Sequence, residues 1–476
     1  MRTGLIRYLL ASLLSLSSIA PLQANELPLI ANSSATISLE QEFQLGRTWA
    51  RLLRGSAPEY GDPLIVNYID GLLWKIAANS QLQDHRLELI VLDTPVLNAF
   101  AVPGGVVGIN AGLLLGAQDE QEFASVIAHE LAHLSQRHYA QQLEESRRNT
   151  PLLLAGVLAS VLLATADAEA GMAGITSSMA AGQQASINFT RRNEQEADRI
   201  GMQNMVNSGF DPYAMPRMFS RLQRASRFIG QKTPEFLLTH PVTESRIADA
   251  ENRASQLPSP AYKPQNYDYQ LLRKRVEVFY TDNLDQLIKT YLISASDDQI
   301  SAYGLALALL KRRDFTAAET ALKNLPSALQ RHLYIRLTYA ELALAAGKQQ
   351  DALRQMEQLN KLYPDSYPVN QRYAKALSAN HQFTKAARVL SELSRRFPSN
   401  SYIWYELAET EGLAGNTLGV HEARSEYFLL TGATDKALRQ IDFALREKNL
   451  SNSDIARLEE RKREVERVRE QIKNTL

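Results

Sequence analysis

Apolar positions along this chain change their period several times, and each change predicts a different element. Between Leu87 and Leu92 they alternate, as in a half-buried strand. Asn98-Ala99-Phe100-Ala101-Val102 and Val106-Val107-Gly108-Ile109 read as two more short strands around the sharp turn Pro103-Gly104-Gly105. From about Asp119 to Gln142 the spacing becomes helical, with Asp119, Glu120 and Glu122 near the positive N-terminal end. Two largely apolar stretches stand apart, Tyr8–Ala20 and Pro151–Ala164, each shorter than the ~20 residues that cross a bilayer. The first follows Arg2 and Arg7 and leads to Pro21-Leu22-Gln23-Ala24, so residues 1–24 are expected to be a signal peptide cleaved after Ala24, with a retained anchor as the alternative.

Downstream, Ser255, Pro258, Ser259, Pro260 and Pro264 interrupt the helical patterning and predict a linker at 256–268. Beyond it Leu362-Tyr363-Pro364 recurs as Arg396-Phe397-Pro398, a step of 34 residues, and Ala352 recurs at the same distance as Ala386. Less regular copies surround Ala317 and Ala437. Small residues at helix contacts and a proline closing a 34-residue unit resemble tetratricopeptide repeats, roughly four of them here. In the last stretch Ile455, Leu458, Val465, Val468 and Ile472 form one stripe among dense charge, read as a capping helix, with a dimerising coiled coil as its rival. The expected fold is therefore mainly α: an α+β domain with a small sheet over residues 25–255, then an α-solenoid of repeats over 269–476.

Chemistry enters at His129-Glu130-Leu131-Ala132-His133. At ~100° per residue the two histidines share a helix face and can converge on a metal, with Glu130 at the rim. A third ligand is sought on Arg191–Gly201, where Glu194, Ala197, Asp198 and Gly201 share a face whose small residues allow another helix to approach. Glu196, ~200° from Glu194, is left to solvent. Glu194 is the expected ligand, and Asp198, one turn on, the expected acceptor of a histidine's other ring N–H. Two histidines and one carboxylate suit a single Zn2+ per chain with a fourth position for water, whose proton Glu130 takes as general base in peptide hydrolysis. His138, nine residues past His129, falls ~180° around an ideal helix and is expected to face away from the metal. His240, before a helix-starting proline, has three readings: a helix cap, a partner of Arg246 in stabilising the intermediate, or a ligand at the fourth position that holds the site idle. Asn98 to Val102 is the candidate strand for binding an extended substrate by backbone hydrogen bonds, a purely structural strand being equally compatible. Because the run 151–164 joins the two helices of the site, it reads equally as core helix or as lid, plug or surface for a partner or the membrane periphery.

Composition narrows the setting. Lysine plus arginine and aspartate plus glutamate balance at 52 each, so there is no electrostatic case for nucleic acid. With no cysteine the chain has neither disulfides nor thiolate metal ligands, which leaves histidine and carboxylate.

The strings "HELAH", "EQEAD" 61 residues after the second histidine, "NAFAVPGG" upstream and "THPVTESR" downstream together resemble the gluzincin family of HtpX and the CAAX prenyl endopeptidases. That resemblance implies zinc at His129, His133 and Glu194, Glu130 as base, Asp198 behind the ligands and "NAFAVPGG" edging the cleft. A signal peptide in place of membrane spans, with attached repeats, is similar to exported members that work on outer-membrane β-barrels. The resemblance thus implies a periplasmic location, with unfolded or misassembled outer-membrane proteins and the β-barrel assembly machinery as partners. A chaperone-like factor whose repeats do the main work is the rival reading.

Overall fold

Ser38 starts the first helix of a computed structural model that describes residues 37–141, 191–228, 235–260, 267–448 and 450–475. The expected signal peptide, the apolar run 151–164 and residues 261–266 of the expected linker lie outside the described residues. Helix α1 (Leu39–Ser56) opens with a reciprocal capping box between Ser38 and Gln41, and α2 (Pro63–Ala77) opens on Asp62, whose side chain accepts from the Leu64 N–H. Strands β1 (Glu88–Leu92), β2 (Ala99–Val102) and β3 (Val106–Asn110) form a sheet of order β1-β3-β2. β1 runs parallel to β3, and β2 runs antiparallel to it with Ala101 opposite Val107. Gly104 and Gly105 turn β2 into β3 at φ of +81° and +78°, a backbone region that costs a side chain energy. One sheet face receives Trp49 and Leu53 from α1, the Trp49 and Phe100 rings meeting edge to face at 5.5 Å.

The chain continues through α3 (Leu113–Gly116), α4 (Glu120–Ser135), which packs on β2, α5 (Arg191–Asn207), α6 (Ala214–Phe228), α7 (Glu235–Thr239) and α8 (Glu244–Ala254). The helix expected over 119–142 ends at Ser135, because Arg137 adopts a φ of +54° and turns the chain. No glycine or proline announces that stop.

The remaining helices are α9 (Tyr267–Tyr280), α10 (Leu284–Ser294), α11 (Gln299–Lys311), α12 (Phe315–Lys323), α13 (Ser327–Gln330), α14 (Leu333–Ala345), α15 (Gln349–Leu362), α16 (Tyr367–Ala379), α17 (Phe383–Arg396), α18 (Ser401–Leu413), α19 (Thr417–Leu430), α20 (Thr434–Ala444) and α21 (Asn452–Thr475). Four hairpins begin at 299, 333, 367 and 401, an unbroken step of 34. Their turns repeat it: Arg313, Gly347, His381 and Gly415 each take a positive φ. The small residue closing each of the first three hairpins is Ala318, Ala352 or Ala386, each fully buried, so the conserved step passes through Ala318 and not its neighbour Ala317. The stripe of α21 is used within the chain: Leu458, Val465, Val468 and Ile472 pack with Leu429, Leu438 and Ile441 of α19 and α20, whereas Ile455 stays exposed. Among the described residues no helix is long and apolar enough to cross a membrane.

One apolar core links the two halves. It holds Ile65, Ile69 and Phe123 with Tyr269, Leu272 and Val276 of α9 and Leu337, Val369 and Leu377 of the hairpins.

Candidate metal centre

Helix α4 is buried nearly all round. Phe123, Ile127 and Leu131 fill the core while His129, Glu130 and His133 turn toward α5, all three at most 1% exposed. The two helices approach closely at Gly201, where a Cβ would stand 3.0 Å from the Ala128 carbonyl oxygen and 3.1 Å from the His129 backbone nitrogen. Ala197 packs on Ala132 beside it. The small positions of α5 thus bring Glu194 and Asp198 against the histidines.

Four buried groups converge: His129, His133, Glu194 and His240 each offer an atom within 4.8 Å of the others. His129 Nε2 lies 3.0 Å from His133 Nε2 and 3.4 Å from His240 Nδ1. The Glu194 carboxylate lies 3.5 Å from both His129 and His133 Nε2 and 3.0 Å from His240 Nδ1. Tetrahedral zinc with ~2.0–2.1 Å bonds to nitrogen would space its ligand atoms ~3.3 Å apart. The donor set therefore fits a metal ion.

Behind the donors sits a supporting layer. His129 Nδ1 is 3.0 Å from Asp198 Oδ1. Arg246, buried on α8, donates from Nε and Nη2 to the two Asp198 oxygens at 2.7 Å each, and from Nη1 to the Pro241 carbonyl. Nη1 also lies 2.8 Å from Glu194 Oε2. The guanidinium is thus engaged with protein groups, which suits positioning better than contact with a reacting substrate. His240 stacks on Phe236 at 4.8 Å, and its Nε2 is 3.6 Å from Glu130 Oε1, so the ring stands between the donor cluster and that carboxylate.

Titration follows these neighbours. Burial would depress the His129 ring, but the Asp198 and Glu194 carboxylates raise it to about 9. Burial and the adjacent His129 hold His133 well below the usual histidine range. Burial opposes ionisation of Glu194, yet His240 and His129 keep its carboxyl well below the ordinary value, and His129 with Arg246 lower that of Asp198. Glu130 moves the other way, upward through burial. A more basic, largely desolvated carboxylate beside a metal site is suited to accepting a proton.

His138 departs from expectation. Because the helix stops before it, the ring returns to the cluster and its Nδ1 lies 2.9 Å from His133 Nδ1, while Nε2 is 3.6 Å from Glu196. The spacing of an ideal helix no longer applies past Ser135, where the helix ends. Glu196 itself is partly exposed and 3.9 Å from Arg199, outside the donor cluster. Tyr139, unmarked by any motif, has its phenol pushed up by burial and by the Glu130 and Glu194 carboxylates.

Strand β2 lies at an edge of the sheet and packs on α4, and the Ala101 backbone favours the ionised form of the Glu130 carboxyl, against the effect of burial. Ala99, Phe100, Ala101 and Val102 are all buried, so the edge is enclosed in this conformation. Asn98 precedes the strand, its Nδ2 donating to Glu235 Oε2 of α7 at 3.2 Å.

Residues 66–254 match the model of Peptidase family M48, and residues 343–409 match that of the Tetratricopeptide repeat. The Beta-barrel assembly-enhancing protease of Escherichia coli O157:H7 is 32% identical over 99% of this chain and 98% of its own length. Its Yersinia pestis namesake is 34% identical over 94% and 93%. The Mitochondrial metalloendopeptidase OMA1 of Schizosaccharomyces pombe is 33% identical over 40% of this chain and 56% of its own length. The third covers less than half of this chain, whereas the first two match nearly end to end, repeats included, and the chain belongs with them to the beta-barrel assembly-enhancing protease family, as a metalloprotease of peptidase family M48.

Proposed function

We propose that the chain is an exported zinc metalloendopeptidase of the periplasm that acts in quality control and assembly of outer-membrane β-barrel proteins. The observation that carries this reading is the convergence of His129, His133, Glu194 and His240 at tetrahedral spacings beside the buried Glu130. His129, His133 and Glu194 hold one Zn2+ per chain. Bound there, zinc supplies a Lewis acid that acidifies water and polarises a peptide carbonyl. Glu130 accepts the water's proton and passes it to the leaving amine. Asp198 fixes the His129 tautomer, and Arg246 fixes Asp198 and Glu194. Strand β2, with the outward groups of Ala99 and Ala101, is the surface on which an extended substrate pairs once the edge is uncovered. The repeats bring clients and the β-barrel assembly machinery to the site, and peripheral membrane contact is assigned to 151–164.

At rest His240 completes the donor set and stands in front of Glu130, which favours a second activity: assembly assistance by the repeats while the peptidase is idle. Two variants separate the readings. Glu130→Gln is expected to keep one zinc by elemental analysis yet lose ~10²–10⁴-fold in casein hydrolysis. Client maturation that persists in this variant assigns that activity to the repeats, and maturation lost with hydrolysis assigns it to the peptidase. His240→Ala is expected to raise basal hydrolysis. A fall would give His240 to the intermediate, and no change would leave it a structural role.

A further inference from the structure

His138 is not among the four donors, yet it is buried and faces the back of one of them. Its ring meets that of His133 nearly edge on, with centroids 5.0 Å apart and the two Nδ1 atoms at 2.9 Å. That is hydrogen-bond length, so one nitrogen of the pair carries a proton and the other is bare. The opposite side of the His133 ring decides which. Its Nε2 stands in the donor cluster, 3.0 Å from His129 Nε2 and 3.5 Å from Glu194 Oε1, and a ring nitrogen that ligates a metal must be bare. The His133 proton is therefore on Nδ1, and His138 Nδ1 accepts it. The His138 proton is then on Nε2, which Glu196 Oε2 approaches at 3.6 Å. The order runs one way, from His133 through His138 to a carboxylate of α5. His129 has the shorter version of the same support, with Asp198 of α5 directly behind its Nδ1. The turn that delivers His138 is costly, Arg137 standing at a φ of +54°, and it is held from outside. The Arg137 guanidinium donates to Glu42 Oε1 at 2.7 Å and to the Ile37 carbonyl at 2.6 Å.

We propose that His138 and Glu196 are positioning residues of the metal centre: His138 accepts the His133 Nδ1–H and so keeps His133 Nε2 bare for the metal, and Glu196 fixes the tautomer of His138 that can do this. The proposal rests on the reading of His133 as a zinc ligand. Its test is the zinc affinity of the full chain, measured by competition with a chromophoric chelator, with thermal melting of the metal-free protein as the check on folding. His138→Leu keeps much of the bulk and removes the acceptor, whereas His138→Asn sets an amide oxygen near the position of Nδ1 and ends short of Glu196. His138→Leu is expected to weaken zinc binding by ~10–100-fold and His138→Asn by about threefold or less. Glu196→Ala is expected to weaken it by about three- to tenfold in the otherwise native chain and to have no effect beside His138→Asn, where no second ring nitrogen is left to orient. Lost packing alone would give neither the rescue in His138→Asn nor this dependence on background. Should His138→Leu melt early, the comparison of Glu196→Ala in the two backgrounds decides. Unchanged affinity in a folded His138→Leu overturns the proposal, as does equal weakening in His138→Leu and His138→Asn. A Glu196→Ala effect of the same size in both backgrounds also overturns it. A wild type without zinc, or full affinity in His133→Ala, overturns the ligand reading of His133 and the proposal with it, an outcome distinct from the other three.

Discussion

Asp198 illustrates how much of the site depends on a residue outside the donor set. It is 4% exposed, faces His129 Nδ1 at 3.0 Å, and is clamped on both oxygens by Arg246. Asp198→Asn keeps the size and removes the charge, so Arg246 loses its bidentate partner and His129 its preferred tautomer. The expected outcome is a metal affinity lower by ~10–100-fold, measured by competition with a chromophoric chelator, with folding retained. Unchanged affinity would make the Asp198–His129 approach incidental. The placement of Asp198 and Glu194 beside the histidines was readable before any coordinates, because helical spacing puts them on one face with Ala197 and Gly201. His138 was not readable, since the residue that decides its position is Arg137, whose positive φ no residue type in "SQRHYA" requires.

Elements position the site through their contact surfaces, and α4 against α5 is the contact that matters most. Gly201 is its narrowest point, where an added Cβ meets the Ala128 carbonyl and the His129 nitrogen at 3.0–3.1 Å. Gly201→Val would push the helices apart at the residue next to a metal donor. A destabilisation of ~1–3 kcal/mol is expected, with loss of zinc before global unfolding, followed by metal content and thermal melting of the same samples. Full zinc with a lowered melting point would separate packing from ligand geometry. The repeats were legible for a different reason. A step of 34 fixes both helices and turn of each hairpin, so two recurrences between 352 and 398 predict the register that runs from 299 to 430. Arg313 and His381 occupy turn positions that Gly347 and Gly415 fill elsewhere, which hides the period from a search for glycines. The sheet was legible strand by strand but not in its order, since alternation within a strand does not say which neighbour it pairs with or in which direction, and β1 pairs parallel with β3.

At the scale of the whole molecule, the α+β part and the repeats share a core and a charge network, which makes each half a condition for the other. Asp62 and Glu341 are carboxyls that burial would neutralise but that Arg275 and Arg372 hold below the usual range. A depressed folded value means their stabilisation is complete above the unfolded value of ~4 and is lost as pH falls below it toward the folded value. The melting temperature should therefore drop between pH 5 and 3 more steeply in the wild type than in Asp62→Asn. That variant keeps the α2 cap but lacks the titrating group, and at neutral pH it should be less stable by up to ~3–5 kcal/mol. Parallel pH profiles would exclude Asp62 from acid unfolding. Tyr269 makes the same dependence visible in packing. Its ring is fully buried against Phe123, and its hydroxyl donates to the Leu114 and Ala117 carbonyls at 3.2 and 3.1 Å. Phe123 lies on the helix that carries both histidines of the motif, so removing Tyr269, Leu272 and Val276 uncovers the back of α4. A simple bead-on-string view, in which residues 25–268 keep a competent site by themselves, does not fit this core. A fragment of residues 25–268 is expected to aggregate or to bind zinc weakly. One of residues 25–282, which retains α9, should recover solubility and metal because it restores the cover over Phe123. Equal zinc occupancy and melting in the two fragments would show that α9 contributes nothing to the site and that the contact with Tyr269 serves only to dock the repeats.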